Sequence, residues 1–374
     1  MRGDPSPGGG EPAFRGTVYR PMTAPASAPT DAPIETDAAD GVFEGGGVKG
    51  IAFVGALEAA REHGIERWVN VSGTSAGAII ASLLAVGYTP EQLLKILEKT
   101  NYAVFADYGF GGKYLGGARN AIRGRGLCPG RTFSDWLAER FKESPVGKAD
   151  PTFADVEREL PPGLNDDERE KARFRLRVIA SDITEGRMLV LPDDIVDYTD
   201  EKGRPYTKED LPIARAVRMS MSFPFFFEPT TLYRNGRVHY IVDGGLLSNF
   251  PVFLFDGDEP PLRRWTFGFR LFGGEPPETP SYRHIPRPLW QVPLGKAMFM
   301  SATEAWDRKS SKASAVRTVS IPTGAVPTLK FELTDAERDS LRRGGYMAGK
   351  HFFETQKTYL NHAGVHAAGP GAVG

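Results

Sequence analysis

Val69-Asn70-Val71-Ser72-Gly73-Thr74-Ser75-Ala76-Gly77-Ala78-Ile79-Ile80-Ala81-Ser82-Leu83-Leu84-Ala85-Val86 is the stretch whose reading decides the fold. Val69–Val71 reads as a short strand, residues 73–77 as a small-residue turn, and Ala78–Val86 as an apolar helix. A strand that passes through a tight turn into a helix is the building unit of an α/β protein. The same unit occurs just upstream. Gly41-Val42-Phe43 predicts a strand, Gly45–Gly50 a glycine loop, and Ile51–His63 a helix stopped by Gly64.

Downstream the alternation continues. Thr89-Pro90-Glu91-Gln92 supplies an N-cap, Pro at the first helical position and Gln at the third, so a helix is expected from there to about Lys99. Strands are expected at Arg175–Ala180, Met188–Leu191, Val238–Val242 and Trp265–Leu271, and a helix at Ile213–Ser220. Thr334-Asp335-Ala336-Glu337 is a capping box that opens a terminal helix to about Leu360. The mixed-charge stretch Asn165–Arg177 reads as an exposed helix face. Strands separated by helices imply an α/β fold with a mainly parallel, buried sheet, in which ligands sit beyond the carboxyl ends of the strands. Residues 1–38, crowded with Pro, Gly and Ala, are expected to be a disordered tail, 39–361 the folded domain, and 362–374 a second tail.

Gly73-Thr74-Ser75-Ala76-Gly77 matches Gly-x-Ser-x-Gly. A serine on a sharp strand-to-helix turn is held in a strained backbone, and small neighbours let the chain pass. Its hydroxyl then stands at a helix N-terminus, whose positive end favours developing negative charge. The alternative is a plain small-residue turn that packs helix against sheet.

Three consecutive glycines in Glu44-Gly45-Gly46-Gly47-Val48-Lys49-Gly50 allow the backbone N–H groups to converge on one anion. That anion is either a pyrophosphate, since Gly45-x-Gly47-x-x-Gly50 fits the dinucleotide fingerprint, or the oxyanion of acyl transfer. The fingerprint also requires an acidic residue closing a second strand. Glu58 and Glu62 fall inside the helix and Glu66 precedes the strand, which weakens the nucleotide reading. Lys49 reads either as a cation near the developing charge or as an exposed lysine on the first helical turn.

Asp243-Gly244-Gly245 closes the strand Val238–Val242, where a carboxylate can meet another loop or simply make an Asp-Gly turn. A serine nucleophile usually has a histidine base. None of the six histidines lies in a glycine-flanked loop after a strand, and His239, on the same strand as Asp243, is an outside candidate. An aspartate, with an ordinary pKa of about 3.9, serves only if desolvation raises it.

Taken together and in this order, the three motifs resemble those of the patatin-like phospholipase family over residues 41–256. Gly47 and Ser75 are 28 residues apart, and Ser75 and Asp243 are 168 apart. Ala180-Ser181-Asp182 with Gly186, and Ser220-Met221-Ser222-Phe223-Pro224, resemble further family blocks. The resemblance implies a three-layer α/β/α sandwich with a mainly parallel central sheet. It implies Ser75 as nucleophile and Asp243 as its base in a two-member dyad. It makes Gly45, Gly46, Gly47 and Val48 the oxyanion hole, with Lys49, Gly50, Gly73, Gly77, Gly244 and Gly245 in support. Asp182 reads as a turn residue, and the run Phe223–Phe227 as either an acyl pocket or core.

The implied activity is lipid acyl hydrolysis of the phospholipase A or lysophospholipase type, with an acyltransferase on the same dyad, a nucleotide-binding module and a regulated effector as alternatives. The dyad needs no metal and no organic cofactor.

Composition is near the average of a soluble globular protein. Hydrophobic residues make up 40% and charged residues 25% of the 374-residue chain, and the net charge is −1, so nothing asks for a nucleic-acid partner. One cysteine, Cys128, precludes an intrachain disulfide and suggests a reducing compartment. The opening Met1–Gly8 lacks the apolar core of a signal peptide. Ala78–Val86 is too short to span a bilayer. The expectation is a cytoplasmic protein with peripheral membrane contact, meeting phospholipid or lysophospholipid from the surface. Five basic residues and no acid between Lys113 and Arg131 read as a headgroup-binding patch or as a solvated loop, and Leu289–Ala315 as a possible lid.

Overall fold

The computed structural model describes residues 34–105, 107, 128–160, 162–255, 263–273, 314–328 and 330–362, without the side chains of 34–36, 263 and 356–362. Most of the stretch 113–131, most of 289–315, residues 1–33 and residues 363–374 therefore lie outside the described residues.

Among those residues the strands are β1 (Ile34–Phe43), β2 (Arg67–Thr74), β3 (Leu176–Asp182), β4 (Arg187–Leu191), β5 (Thr230–Arg234), β6 (Arg237–Asp243), β7 (Arg263–Phe272) and β8 (Thr318–Pro322). They form one sheet in the order β5-β6-β3-β2-β1-β7-β8, with β4 also paired to β3. The pairs β1–β2, β2–β3, β1–β7 and β7–β8 are parallel, whereas β3–β4, β3–β6 and β5–β6 are antiparallel. Helices flank the sheet: α1 (Ile51–Glu62), α2 (Ala76–Ala85), α3 (Pro90–Lys99), α4 (Arg131–Lys142), α5 (Asp166–Ala172), α6 (Ile213–Ser220) and α7 (Asp335–His362). This is the α/β class with a mainly parallel sheet that the alternation implied. None of the helices among the described residues is long and apolar enough to cross a membrane.

Local signals worked where they were strongest. Thr89 Oγ1 accepts from the Gln92 N–H and Gln92 Oε1 from the Thr89 N–H, a complete capping box opening α3. Thr334 and Glu337 do the same for α7. Gly64, at φ +93, ends the turn after α1. Two boundaries move. β1 begins at Ile34, before the boundary at residue 38: the Asp37 carbonyl accepts from the Glu66 N–H at 2.8 Å and Ala38 is fully buried. The charged stretch 165–177 is not one helix face. Only Asp166–Ala172 is helical, and Arg177 lies buried in β3 with its guanidinium 3.2 Å from Asp193.

β3 brings distant parts of the chain together. β4 takes one edge of β3 over Val178–Asp182. The other edge is shared: β2 pairs with Leu176–Ile179, and β6 pairs with Ala180–Asp182 from the opposite direction. The carboxyl ends of β2 and β6 therefore meet head-on. Thr74 is opposite Ile179 and Asp243 is opposite Ala180, the next residue.

Candidate active site

Ser75 follows Thr74 directly and caps α2 with φ 52 and ψ −122, a conformation that costs a residue with a Cβ on the order of 1–3 kcal/mol. The flanking glycines explain how the turn is tolerated. A Cβ on Gly73 would lie 2.2 Å from the Gly77 carbonyl, and one on Gly77 would lie 2.2 Å from the Phe43 carbonyl oxygen. The pentapeptide is a tight strand-to-helix turn with Ser75 at positive φ and glycines where another backbone comes close. The Ser75 N–H donates to Ser220 Oγ at 2.8 Å, and its own hydroxyl lies 3.6 Å from Met221 Sδ.

Asp243 is buried at the end of β6, with 2% of its surface exposed. Burial drives its carboxyl up to about 7, against the opposing pull of the Gly245 N–H and then of the Ser75 hydroxyl. The Gly245 N–H donates to Oδ1 at 2.8 Å. Gly244 is required at its position because a Cβ there would meet the Ile179 carbonyl oxygen at 2.3 Å. The serine and the carboxylate, 168 positions apart in sequence, face the same small space.

The glycine loop adjoins both. Asn249, not singled out in the sequence, fastens it: the Gly45 N–H donates to the Asn249 carbonyl at 3.2 Å, and Asn249 Nδ2 donates to the Gly45 carbonyl at 3.2 Å. The Val48 N–H donates to the Thr328 carbonyl at 3.2 Å. Of the four expected oxyanion residues, Gly45 and Val48 therefore have their amides committed to the fold. The amides of Gly46 and Gly47 donate to no backbone or side-chain acceptor among the described residues. Gly47 also needs to be glycine, since its φ is +57. Gly50 has open space around its Cα, the nearest atom to a built Cβ being Ala76 Cβ at 3.9 Å.

Lys49 is not the exposed helix-start lysine that one reading foresaw. It is buried, its Nζ reaches the Gly273 carbonyl at 3.4 Å, and desolvation lowers its pKa against the pull of Glu44. Its burial follows from the loop tucking under β7, where Glu44 accepts from the Leu271 N–H.

His239 and Asp182 lie farther back along β6, Asp182 being opposite Ile241. His239 is buried, with Nδ1 2.7 Å from Asp182 Oδ2, and it sits four residues before Asp243, about 13 Å along the strand. It is not placed to serve Ser75. Asp182 also accepts from the Tyr198 hydroxyl at 2.8 Å and from the Thr184 and Glu185 N–H groups, as a turn residue should. Asp182, Glu185 and His239 bring carboxylate and imidazole atoms within 4.8 Å of one another, but Asp182 and His239 contact each other and Glu185 accepts from Arg234. Around Phe223–Phe227, Phe223 and Phe227 are buried, Phe226 stacks on Phe331 with centroids 4.9 Å apart, and Phe225 is 45% exposed at φ +70.

Comparison with known proteins adds the family. The model of the patatin-like phospholipase family matches residues 41–256. The uncharacterized protein YqhO of Bacillus subtilis is 39% identical over 251 residues, covering 63% of this chain and 77% of that protein. The probable lipid hydrolase 463L of Invertebrate iridescent virus 6 is 26% identical over 211 residues, covering 56% of this chain. The match spans only 61% of the viral protein's length. Among solved structures, VipD from Legionella pneumophila aligns at a TM-score of 0.47 with 20% identity, covering 87% of this chain and 68% of that one.

Proposed function

The chain belongs to the patatin-like phospholipase family, and we propose that it hydrolyses carboxylic esters of phospholipid or lysophospholipid through an acyl-Ser75 intermediate, with Asp243 as base. The observation that carries this reading is the head-on meeting of β2 and β6 on β3, with Thr74 and Asp243 opposite successive residues. In the proposed cycle Ser75 Oγ attacks the ester carbonyl carbon while Asp243 takes the hydroxyl proton. The amides of Gly46 and Gly47 hold the oxyanion. Collapse of the tetrahedral intermediate expels the alcohol portion of the lipid, which receives the proton back from Asp243. Water then attacks the acyl-serine by the same route and releases the fatty acid.

Electrostatics support these roles. A carboxyl with a pKa of about 7 is matched to proton transfer near neutral pH, which an ordinary aspartate is not. The strained Ser75 turn aims the hydroxyl at the start of α2, where the helix dipole favours the attacking oxygen. The proposed location is cytoplasmic, with the substrate met at a membrane surface.

Fluorophosphonate labelling followed by mass mapping tests the nucleophile: the modification is expected on Ser75, and labelling of another residue would overturn the assignment. With a nitrophenyl ester or phospholipid as substrate, Ser75→Ala is expected to abolish turnover while leaving the fold intact. Product analysis with an alcohol acceptor present separates hydrolysis, which releases free fatty acid, from acyl transfer, which yields a new ester.

A further inference from the structure

The two members of the dyad are held by a single three-residue segment. α6 ends at Ser220, and Met221 and Ser222 follow before the chain turns at Phe223. Ser220 Oγ accepts from the Ser75 N–H at 2.8 Å. Met221 Sδ lies 3.6 Å from Ser75 Oγ. The Ser222 carbonyl accepts from the Asp243 N–H at 2.9 Å. Residues i and i+2 of one short stretch thus pin the backbone of the nucleophile and the backbone of the base, and the stretch between them faces the nucleophile's hydroxyl.

The segment is itself fixed. Ser220 and Ser222 are fully buried. Arg218 Nη1 donates to Ser222 Oγ at 2.6 Å, and its Nη2 donates to the carbonyls of Pro129 and Glu228 at 2.8 and 2.9 Å. The Arg218 guanidinium also lies over the Phe227 ring, 5.2 Å from its centroid. A serine in a helix often bonds back to its own helix. Ser220 instead turns its oxygen outward to Ser75, across 145 positions of sequence. That bond satisfies the amide of a residue whose φ of 52 no ordinary helix N-cap adopts.

We propose that Ser220 is a positioning residue for the reaction: through its hydroxyl it fixes the strained Ser75 turn at a set distance from Asp243, with Ser220–Ser222 as the ruler. The proposal rests on the dyad reading above. It predicts a geometric defect when the Ser220 oxygen is removed. Ser75 keeps its hydroxyl and Asp243 its carboxylate, but the elbow is free to relax toward a less strained backbone, and the hydroxyl leaves the carboxylate.

The test uses the full chain, a short-chain nitrophenyl ester and a fluorophosphonate, with active-site titration to count competent enzyme. Ser220→Ala is expected to lower kcat by about 10- to 100-fold with KM within about twofold, as misplacement of order 1 Å does. Its fluorophosphonate labelling should slow by a similar factor. The acid limb of its pH–rate profile should move to higher pH, because the Ser75 hydroxyl no longer favours ionised Asp243. Ser220→Cys, of similar size but with a weak, longer acceptor, should fall between Ser220→Ala and wild type on all three measures. If Ser220→Ala does not fold, the Ser220→Cys values decide alone.

Wild-type kcat and an unmoved acid limb in either folded variant would overturn the proposal. So would a loss of rate that active-site titration attributes entirely to fewer competent molecules. Ser75→Ala and Asp243→Ala run alongside. Both inactive, with Ser220 variants unchanged, removes the ruler and keeps the dyad; either one active removes the dyad, and the ruler with it.

Discussion

Two buried carboxylates stand at the ends of neighbouring strands and have opposite surroundings. Asp182, at the end of β3, is met by four groups: the Tyr198 hydroxyl, His239 Nδ1 and the Thr184 and Glu185 N–H groups. Asp243, at the end of β6, has the Gly245 N–H and the influence of the Ser75 hydroxyl. Both are almost wholly out of water. Burial penalises an ionised carboxylate, and donors repay that cost. Asp182 is surrounded by donors and serves the turn between β3 and β4. Asp243 is left under-supplied, and its carboxyl rises to about 7. Sequence alone offers two aspartates at strand ends, Asp182 before Ile183-Thr184 and Asp243 before Gly244-Gly245. The donor count separates a structural carboxylate from one able to take a proton.

The largest test of that contrast is to neutralise each carboxylate. Asp243→Asn is expected to lower ester turnover by roughly 10⁴-fold, the scale seen when one member of a catalytic set is removed. It should not destabilise the protein. Linkage fixes the sign: Asp243 binds its proton more tightly folded than unfolded, so above pH 4 the native state loses stability as pH rises, and the whole penalty is present above about 7. Asp243→Asn removes that penalty, and its melting temperature at pH 8 should equal or exceed that of wild type. A large drop in melting temperature would place Asp243 with Asp182 as a structural group.

The wild-type enzyme sharpens the same point through pH. With Asp243 as base, activity requires the ionised carboxylate, so kcat/KM should fall as pH drops through about 7, tenfold per unit on the acid side. A flat profile down to pH 5 would remove Asp243 from the role.

Next in size is Asp182→Asn. It puts an amide NH2 where one of two carboxylate oxygens stood among buried donors, and each buried donor left without its acceptor costs about 1–3 kcal/mol. The expected outcome is a lowered denaturation midpoint and, per folded molecule, near-normal turnover. Loss of turnover without loss of stability would dissolve the distinction between the two aspartates.

The sequence carried the part of this site that is written in backbone demands. Gly73 and Gly77 are needed because another backbone approaches them within a bond's reach, and Gly47 because its φ is positive, so motifs of glycines at fixed spacing are legible without a fold. The capping boxes at Thr89 and Thr334 are legible for the same local reason. What stayed hidden depends on contacts between distant positions. Asn249 meets Gly45 across 204 residues and Ser220 meets Ser75 across 145. Nothing adjacent to Asn249 marks it, and the block Ser220–Pro224, though it resembles a family block, does not disclose Ser75 as the partner of Ser220. The start of β1 at Ile34 likewise depends on distant partners, since the Asp37 carbonyl accepts from the Glu66 N–H and the Asp37 carboxylate accepts from Arg67. Between the two readings open for Lys49 the sequence could not choose, since a lysine at a helix start is ordinarily wet and only the covering of the loop by β7 makes it buried.

The smallest expected effect probes the donor count directly. Burial pushes the Tyr198 hydroxyl well above its ordinary pKa, so it remains protonated and donates to Asp182. Tyr198→Phe removes that one donor and little volume. A hydrogen bond to a charged group is worth about 1.5–3 kcal/mol, and the other three groups around Asp182 remain, so the loss should sit near the lower end of that range. Urea denaturation reads it as a lower midpoint with an unchanged slope. The acid limb near pH 7 should not move, because Tyr198 belongs to Asp182's surroundings and not to Asp243's. A shifted limb would mean that the two carboxylates titrate as one coupled system, and the contrast between a supplied and an under-supplied aspartate would have to be redrawn as a single network spanning β3 and β6.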